Sequence, residues 1–354
     1  MSEHYSCLAV NAPTTKPGGS DQSPPWVRLA FGVAGLVFFF GLVLHADLQE
    51  VGSTLLRLPA FALLALLPFP LSLGADALAW KRLLHQLGER ASFARTWAVR
   101  FASEAVGNAV PMAGLASETV GPTLLAARTG VPLSKAVASS AAKRWLVARA
   151  HATYVLICVA LLAAGRGAAV VPVTLCVAVA AGLAALSATT QLVAGKGRPA
   201  ERVFSLLDRL PLVGGLVAGK KSAFSSVDAD LGALARSLTP DAWALVVMAW
   251  LFEGTETWLL LRAVGLPVGW TDAIAMDGVL SALRSTAVFV PSGLGVQDAG
   301  FAYFLGEQQD SQAAAFLLLK RGKELLYVGL GLGLYFFLQS RNRRPSPRAK
   351  GSLS

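Results

Sequence analysis

Long apolar segments alternate with short polar connections along most of this 354-residue chain. A helix needs about 20 apolar residues to cross the hydrocarbon core of a bilayer. The segments that reach this length are Trp26–His45, Arg57–Trp80, Ser134–Ala164, Ala168–Thr189, Ala242–Leu261 and Ala313–Gln339. The pattern predicts an all-α polytopic membrane protein with about six full transmembrane helices, in a single membrane domain over residues 26–339.

Two further apolar regions, Ser92–Arg128 and Thr271–Gln308, are interrupted by "NAVPMAGLASETVGP" and "FVPSGLGVQDAG". Proline removes a backbone donor and glycine loosens a helix, so both regions are predicted to break there. The second limbs, Leu115–Arg128 and Gly295–Gln308, have fourteen residues each, too few to span a bilayer. We interpret both regions as Pro/Gly-broken re-entrant hairpins, with tight pairs of crossings as the alternative.

Composition supports the membrane assignment and narrows the chemistry. Only 15% of the residues are charged, against about a quarter in soluble domains. Residues 1–25 are rich in Ser, Pro, Thr and Gly and are predicted to form a disordered tail. The three cysteines and four histidines show no metal-binding spacing, so neither a metal nor a cofactor is predicted. The basic residues are not interleaved with aromatic ones, so nucleic acid is not an expected partner.

Basic residues cluster in the connection after Trp80, in residues 190–240 and in the tail over residues 340–354, whereas residues 45–51 are acidic. The positive-inside rule then predicts a bacterial inner-membrane protein with a cytoplasmic C-terminus and an external acidic turn. Residues 196–238 mix apolar and basic side chains, which is typical of a surface helix on an anionic leaflet. A gate and a partner-docking site are alternatives for this segment.

This orientation makes the first broken region enter from the cytoplasmic side and the second from outside. Repeat A (residues 92–164) and repeat B (residues 271–339) then form a pseudo inverted repeat, a pattern typical of transporters with a site near the midplane. Matching residues are 180 positions apart in the break and 177 apart in the helix that follows. The pairs are Pro111 with Pro291, Glu118 with Asp298, Glu104 with Arg284, Lys143 with Lys320 and Arg144 with Arg321.

Ionisable residues at membrane depth cost at least about 2.5–3.5 kcal/mol each, so they are expected to be functional or paired. Glu253 and Glu256 share one helix face and need a nearby cation, from Lys143–Arg144, Arg284 or Arg321. A structural ion-pair lock and a proton-coupling site are equally compatible with this pattern.

Some ionisable residues have a simpler interpretation. Asp76 is expected to lie at the membrane interface, and Lys323 and Glu324 are expected to pair with neighbours on their own helix. Most of the polar residues at membrane depth, Glu324 among them, and the glycines and prolines of the breaks are predicted to bind substrate. The predicted substrate-binding residues are Glu104, Asn108, Pro111, Glu118, Lys143, Arg144, Glu253, Glu256, Arg284, Pro291, Gly293, Gly295, Gln297, Asp298, Lys320, Arg321 and Glu324.

"RSTAVFVPSGLGVQDAGFAYFL" followed by "LLKRGKELL" resembles the signature of the flippase-like family that includes the transmembrane region of lysylphosphatidylglycerol synthases. "VGNAVPMAGLASETVGPTLLAARTGVPLSKAVAS" is similar to a motif of its hopanoid-biosynthesis-associated branch. The resemblance covers roughly residues 27–339. The chain departs from it at Ala116-Ser117-Glu118, where Gly-Gly-Glu is expected, and at Lys143-Arg144, where an acidic residue is expected.

The resemblance implies lipid translocation without the soluble synthetic domain that some members carry. We expect a non-enzymatic transporter whose partners are membrane lipids such as anionic or polar-headed phospholipids or hopanoids. The alternatives are a membrane-embedded enzyme with Glu118, Asp298 or Glu256 as its base, and a scaffold for lipid-synthesis enzymes. Homo-oligomers are also compatible with the sequence. We further hypothesise that Glu118 and Asp298 each pair with a cation for which an anionic headgroup competes.

The orientation can be tested with single cysteines. A cysteine at position 47 is expected to react with a membrane-impermeant thiol reagent in intact cells, whereas one at position 220 reacts only after permeabilisation. Labelling of position 220 from outside would overturn both the orientation and the inverted repeat.

Overall fold

The computed structural model describes residues 48–109, 113–166, 173–209, 219–237, 240–286, 296–305 and 310–340. Every regular element in these ranges is helical, which confirms the all-α prediction. The helices are α1 Leu48–Leu56, a 3-10 helix Ala60–Leu66, α2 Pro68–Gln86, α3 Phe93–Ala109, α4 Ala113–Thr129, α5 Leu133–Arg166, α6 Val173–Lys196, α7 Pro199–Asp208, α8 Lys221–Arg236, α9 Pro240–Ala263, α10 Trp270–Thr286, α11 Val296–Leu305 and α12 Asp310–Ser340.

Several helices are long and apolar enough to cross a membrane. They are Ala60–Gln86, which joins the 3-10 helix to α2, the Leu133–Ala164 part of α5, and the whole of α6 and α9. These four coincide with predicted spans. The fifth predicted span lies in α12, a 31-residue helix that carries four charged residues between Lys320 and Glu324. The sixth, Trp26–His45, falls outside the described residues.

Each broken region contributes two helices that pack against each other. In the first, α3 and α4 have 17 residues each and lie on either side of residues 110–112. In the second, α10 has 17 residues and α11 has 10, on either side of residues 287–295. At 1.5 Å per residue, 17 residues extend about 25 Å, less than the roughly 30 Å hydrocarbon core. Helix α3 ends at Ala109, within the first predicted interruption, and α10 ends at Thr286, just before the second. Helix α4, however, begins at Ala113 and continues through the rest of the first interruption, including Pro122.

The helices pack in the same order in the two halves of the chain. Helix α3 packs on α2 and α4, and α5 packs on α4 and α2; likewise α10 packs on α9 and α11, and α12 packs on α11 and α9. Between the halves, α3 contacts α12, α10 contacts α5, and α2 contacts α9. Two copies related by a pseudo-twofold axis would make these paired contacts, although the contact of α5 with α9 has no equally extensive α12–α2 counterpart among the described residues.

Helices α2 and α9 take part in the repeated packing, although both precede the repeats that the sequence predicted, which begin at residues 92 and 271. Asp76 on α2 and Glu256 on α9 are 180 residues apart, the same separation as Pro111 and Pro291. The repeated unit of packing is therefore four helices long rather than three.

Two equivalent helix contacts between the halves depend on glycine. A side chain at Gly278 of α10 would overlap Cys158 of α5, and one at Gly331 of α12 would overlap Ala105 of α3. Small residues let membrane helices approach closely, and here they do so at both contacts related by the repeat.

Replacement of Gly278 by alanine is expected to destabilise the protein by about 1–3 kcal/mol, because the new methyl group overpacks the α10–α5 contact. Thermal unfolding of the detergent-solubilised protein measures the loss. Gly182→Ala is the matched control, since a Cβ at Gly182 of α6 meets no atom within 4 Å. Equal unfolding temperatures for the two variants would contradict this account of the contact.

Candidate functional site

A cavity of about 600 Å³ lies among α2, α3, α9, α10, α11 and α12. One part of its wall is apolar and includes Phe69, Phe101, Leu325, Tyr327 and Val328. The rest carries charged and amide side chains, most of which were predicted from the sequence. The predicted residues that line it are Glu104, Asn108, Glu253, Glu256, Arg284, Gln297, Lys320, Arg321 and Glu324.

Within the cavity wall, two lysine side chains of α12 contact acidic residues of α9 and α10. Lys323 pairs with Glu256, and Lys320 lies 3.8 Å from Asp277 Oδ1. Lys320 Nζ also donates to Thr257 Oγ1 at 3.3 Å, and that hydroxyl donates to Asp277 Oδ1 at 2.8 Å. These buried contacts hold three helices together through compensated charges.

The partner of Glu256 differs from every cation that the sequence suggested. Lys323 was expected to pair along its own helix and instead reaches α9, with Nζ 5.5 Å from the centre of the Phe69 ring and 5.8 Å from that of Tyr327. Helix packing turns Lys323 toward the cavity, where a carboxylate and two aromatic faces replace water around its ammonium group. The expectation for Glu324 is confirmed, since Arg321 Nη1 lies 2.6 Å from its Oε2.

Arg321 also binds Asp298 of α11. Its Nη2 donates to Asp298 Oδ1 at 2.7 Å and Oδ2 at 2.9 Å, and the Asp298 side chain is only 1% exposed. At the equivalent place in the first half, Arg144 Nε lies 2.9 Å from Glu118 Oε1. The predicted pairing of Glu118 and Asp298 with cations is confirmed, and both cations are the ones that the repeat matched.

Three buried polar atoms on the cavity wall have no hydrogen-bond partner: Glu256 Oε2, Gln297 Oε1 and Arg321 Nε. Among the described residues, Arg284 makes no ion pair, and Glu253 makes one long hydrogen bond, from Ser72 Oγ at 3.4 Å. Unsatisfied buried polar groups cost about 1–3 kcal/mol each. The wall therefore presents both a positive and a negative group with spare hydrogen-bonding capacity to a ligand.

The family model of the lysylphosphatidylglycerol synthase TM region matches residues 26–333, a range that includes the cavity and both broken regions. The chain belongs to the lysylphosphatidylglycerol synthase transmembrane-region family. The family resemblance drawn from the two motifs is thus confirmed. A search of curated proteins finds no match to the chain.

In this family member a second group of buried charges lies between α2, α3 and α5. Lys143 Nζ lies 2.5 Å from Asp76 Oδ2, and Arg100 contacts the same oxygen. Arg100 Nη1 also lies 2.5 Å from Glu104 Oε2, and Glu104 lines the cavity. This chain of ion pairs runs from the cavity into the first half of the protein.

The position of Asp76 corrects the sequence interpretation. It was expected at the membrane interface, but it is 6% exposed and lies between two cations. Burial is tolerated because Arg100 and Lys143 together compensate the carboxylate, and the Lys143 ammonium lies 5.3 Å from the centre of the Trp80 ring. No pattern along α2 alone identifies these partners.

The structure separates the remaining predicted residues into two sets. Glu118, Lys143 and Arg144 lie outside the cavity wall, between α4, α5 and α2. The break residues Pro111, Pro291, Gly293 and Gly295 fall outside the described residues. Asp277 and Lys323 line the cavity but were not among the predicted binding residues, although both are ionisable residues at membrane depth, the signal that selected the others.

The two matched ion pairs differ in exposure, and this predicts different costs of mutation. Asp298→Asn leaves buried Arg321 undercompensated and is expected to lower the free energy of unfolding by about 3 kcal/mol or more, because breaking a buried pair costs about 3–5 kcal/mol. Glu118→Gln is expected to cost about 0–1 kcal/mol, since the side chains of Glu118 and Arg144 are 30% and 51% exposed. Unfolding of both variants in detergent provides the measurement.

A double variant identifies the cause. Arg321→Met added to Asp298→Asn removes the undercompensated charge and is expected to recover part of the lost stability. No recovery would show that the cost comes from repacking α11 rather than from the ion pair.

Proposed function

We propose that this family member is a flippase-like transporter that moves a polar-headed lipid, such as a phospholipid or a hopanoid, between the two leaflets. The observation that carries the proposal is the cavity among the helices, with its unpartnered polar groups of both signs beside an apolar wall. An amphiphile requires both surfaces. Membership of the family is consistent with lipid handling.

The charged wall would compensate a headgroup while the acyl or polycyclic part stays with lipid. A charge that enters hydrocarbon alone is costly, so a transported headgroup needs counter-charges along its route. Arg284, with no ion pair among the described residues, is the first group that an anionic headgroup would meet without displacing a carboxylate. Glu253 offers the corresponding site for a cationic group.

Further along the wall, transport would proceed by exchange of ion-pair partners. Arg321 is held by both Asp298 and Glu324, and the side chain of Glu324 is 35% exposed whereas that of Asp298 is 1% exposed. An anionic headgroup would displace the more accessible Glu324 and leave the buried pair intact. Asp298 would therefore position Arg321, and Glu324 would be the exchangeable partner.

The proposal includes the finer topology: about six spanning helices, two re-entrant hairpins that meet at the cavity, the inner membrane and a cytoplasmic C-terminus. The 17-residue lengths of α3, α4 and α10 and the 10-residue length of α11 support the hairpins. The repeated packing of α2–α5 and α9–α12 supports the inverted repeat. A transporter of this kind needs no covalent change in the lipid.

Reconstitution into proteoliposomes separates transport from catalysis and from scaffolding. Lipid movement is followed with headgroup-labelled phospholipid and a membrane-impermeant quencher, and the lipids are then analysed by mass spectrometry. Movement with unchanged lipid mass supports the proposal. A new lipid mass would indicate an enzyme, and neither movement nor lipid binding would favour a scaffold.

Arg284→Gln is expected to lower the transport rate about ten-fold or more, because a charge-assisted hydrogen bond to a headgroup contributes about 1.5–3 kcal/mol. Stability should change little, since no ion pair is broken. The same quenching assay and thermal unfolding measure both effects. Arg262→Gln is the matched control, because Arg262 is exposed at the end of α9 and away from the cavity. Equal transport rates in the two variants would rule out Arg284 as the headgroup contact.

A further inference from the structure

The surface formed by α7 and the residues beside it lies at the end of a membrane-spanning helix. Helix α6 is apolar enough to cross a bilayer and faces outward along most of its length. It ends at Lys196, and α7 begins at Pro199 after only two residues. The chain returns to another candidate span, α9, at Pro240. Helices α7 and α8 have 10 and 16 residues, so both are shorter than a span and stay on one side.

Helix α7 presents an apolar edge next to basic side chains. Val203 and Leu206 are 49% and 61% exposed. At 100° per residue, Arg202, Val203, Leu206 and Arg209 occupy one face about 120° wide. Both arginines are exposed as well. An exposed face with apolar residues and flanking arginines is typical of a helix that lies in the membrane interface.

Contacts with α8 fix the direction of this face. The Asp228 carboxylate accepts hydrogen bonds from the backbone N–H groups of Ala200 at 2.8 Å and Glu201 at 2.9 Å. The rings of Phe204 and Phe224 lie 5.3 Å apart, so the inner face of α7 is packed. Helix α8 in turn packs on α5 and α6. The exposed face is thus held in place relative to the spanning helices.

The charge around α7 is mainly positive. The exposed basic residues are Lys196, Arg198, Arg202, Arg209, Lys220 and Lys221. Of the acidic residues, Asp228 is buried as the cap of α7, and Glu201 hydrogen bonds to Ser225 and pairs with Arg198 at 3.2 Å, which lowers the pKa of Glu201. Asp208 is exposed. The surface therefore attracts anions.

We propose that this surface binds the headgroups of anionic phospholipids in the adjacent leaflet, with Val203 and Leu206 inserted among the lipids. Attraction to a charged membrane decays within about 8 Å at physiological salt, so the contact requires the proximity that α6 imposes. The inference uses none of the cavity residues and is independent of the transport proposal. It names one occupant, an anionic lipid surface.

Hydrogen exchange of the full-length protein in nanodiscs tests the proposal. Amides of α7 are expected to exchange several-fold more slowly in discs that contain phosphatidylglycerol than in discs of phosphatidylcholine alone. Raising the salt to about 1 M shortens the screening length to about 3 Å and should remove most of this difference. The same exchange rate in both kinds of disc would overturn the proposal.

Matched variants identify the residues responsible. Arg202→Gln with Arg209→Gln should abolish the lipid-dependent protection, while exchange in phosphatidylcholine discs stays at the wild-type rate and shows that α7 is still folded. Arg90→Gln with Arg95→Gln removes the same charge from two exposed residues, one between α2 and α3 and one in the first turn of α3, and should leave the protection intact. An equal loss in both double variants would show a general charge effect and refute a specific lipid surface.

Discussion

The charged side chains that lie between the helices of this protein impose the constraint on which its architecture depends. An ionised group in hydrocarbon is tolerated when an opposite charge and further hydrogen bonds compensate it. Asp76, Asp298 and Glu256 are all buried, and each lies against a lysine or arginine of another helix. Because each partner lies on a separate helix, these pairs also fix how the helices are arranged.

One ion pair recurs at matched positions in the two halves. Glu118 with Arg144 and Asp298 with Arg321 join equivalent helices in the two halves. The cavity, however, is lined by the second half together with α3 and Phe69 of α2 from the first. The same order of helix contacts thus leaves the helices packed together in one half and encloses the cavity in the other. The two halves differ in side chains and also in helix length, since α4 has 17 residues and α11 has 10.

In the part of the chain that the structure describes, buried side-chain atoms without a hydrogen bond occur around the cavity and at Arg128. Glu256, Gln297 and Arg321 each keep a buried atom without a hydrogen bond, and all three face the same space. Native proteins leave few such groups, and those they leave call for a structural or functional reason. A ligand with polar and apolar parts would satisfy both the unpartnered atoms and the apolar wall, and this is our reason for proposing a lipid rather than a soluble ion as the occupant.

The sequence by itself determined the helical class, four of the spans, the places where two regions break, and the family. Each of these depends on residues close together along the chain: the length of an apolar run, or a proline and glycines within it. The repeat offset also matched Arg144 with Arg321, the two residues that the structure pairs with Glu118 and Asp298. Tertiary structure alone decided that Lys323 turns to Glu256, that Asp76 is buried between Arg100 and Lys143, and that Glu118 lies outside the cavity. The physical reason is that spacing along a helix defines neighbours three or four residues apart. Partners on other helices depend on how each helix is rotated and where it crosses the next.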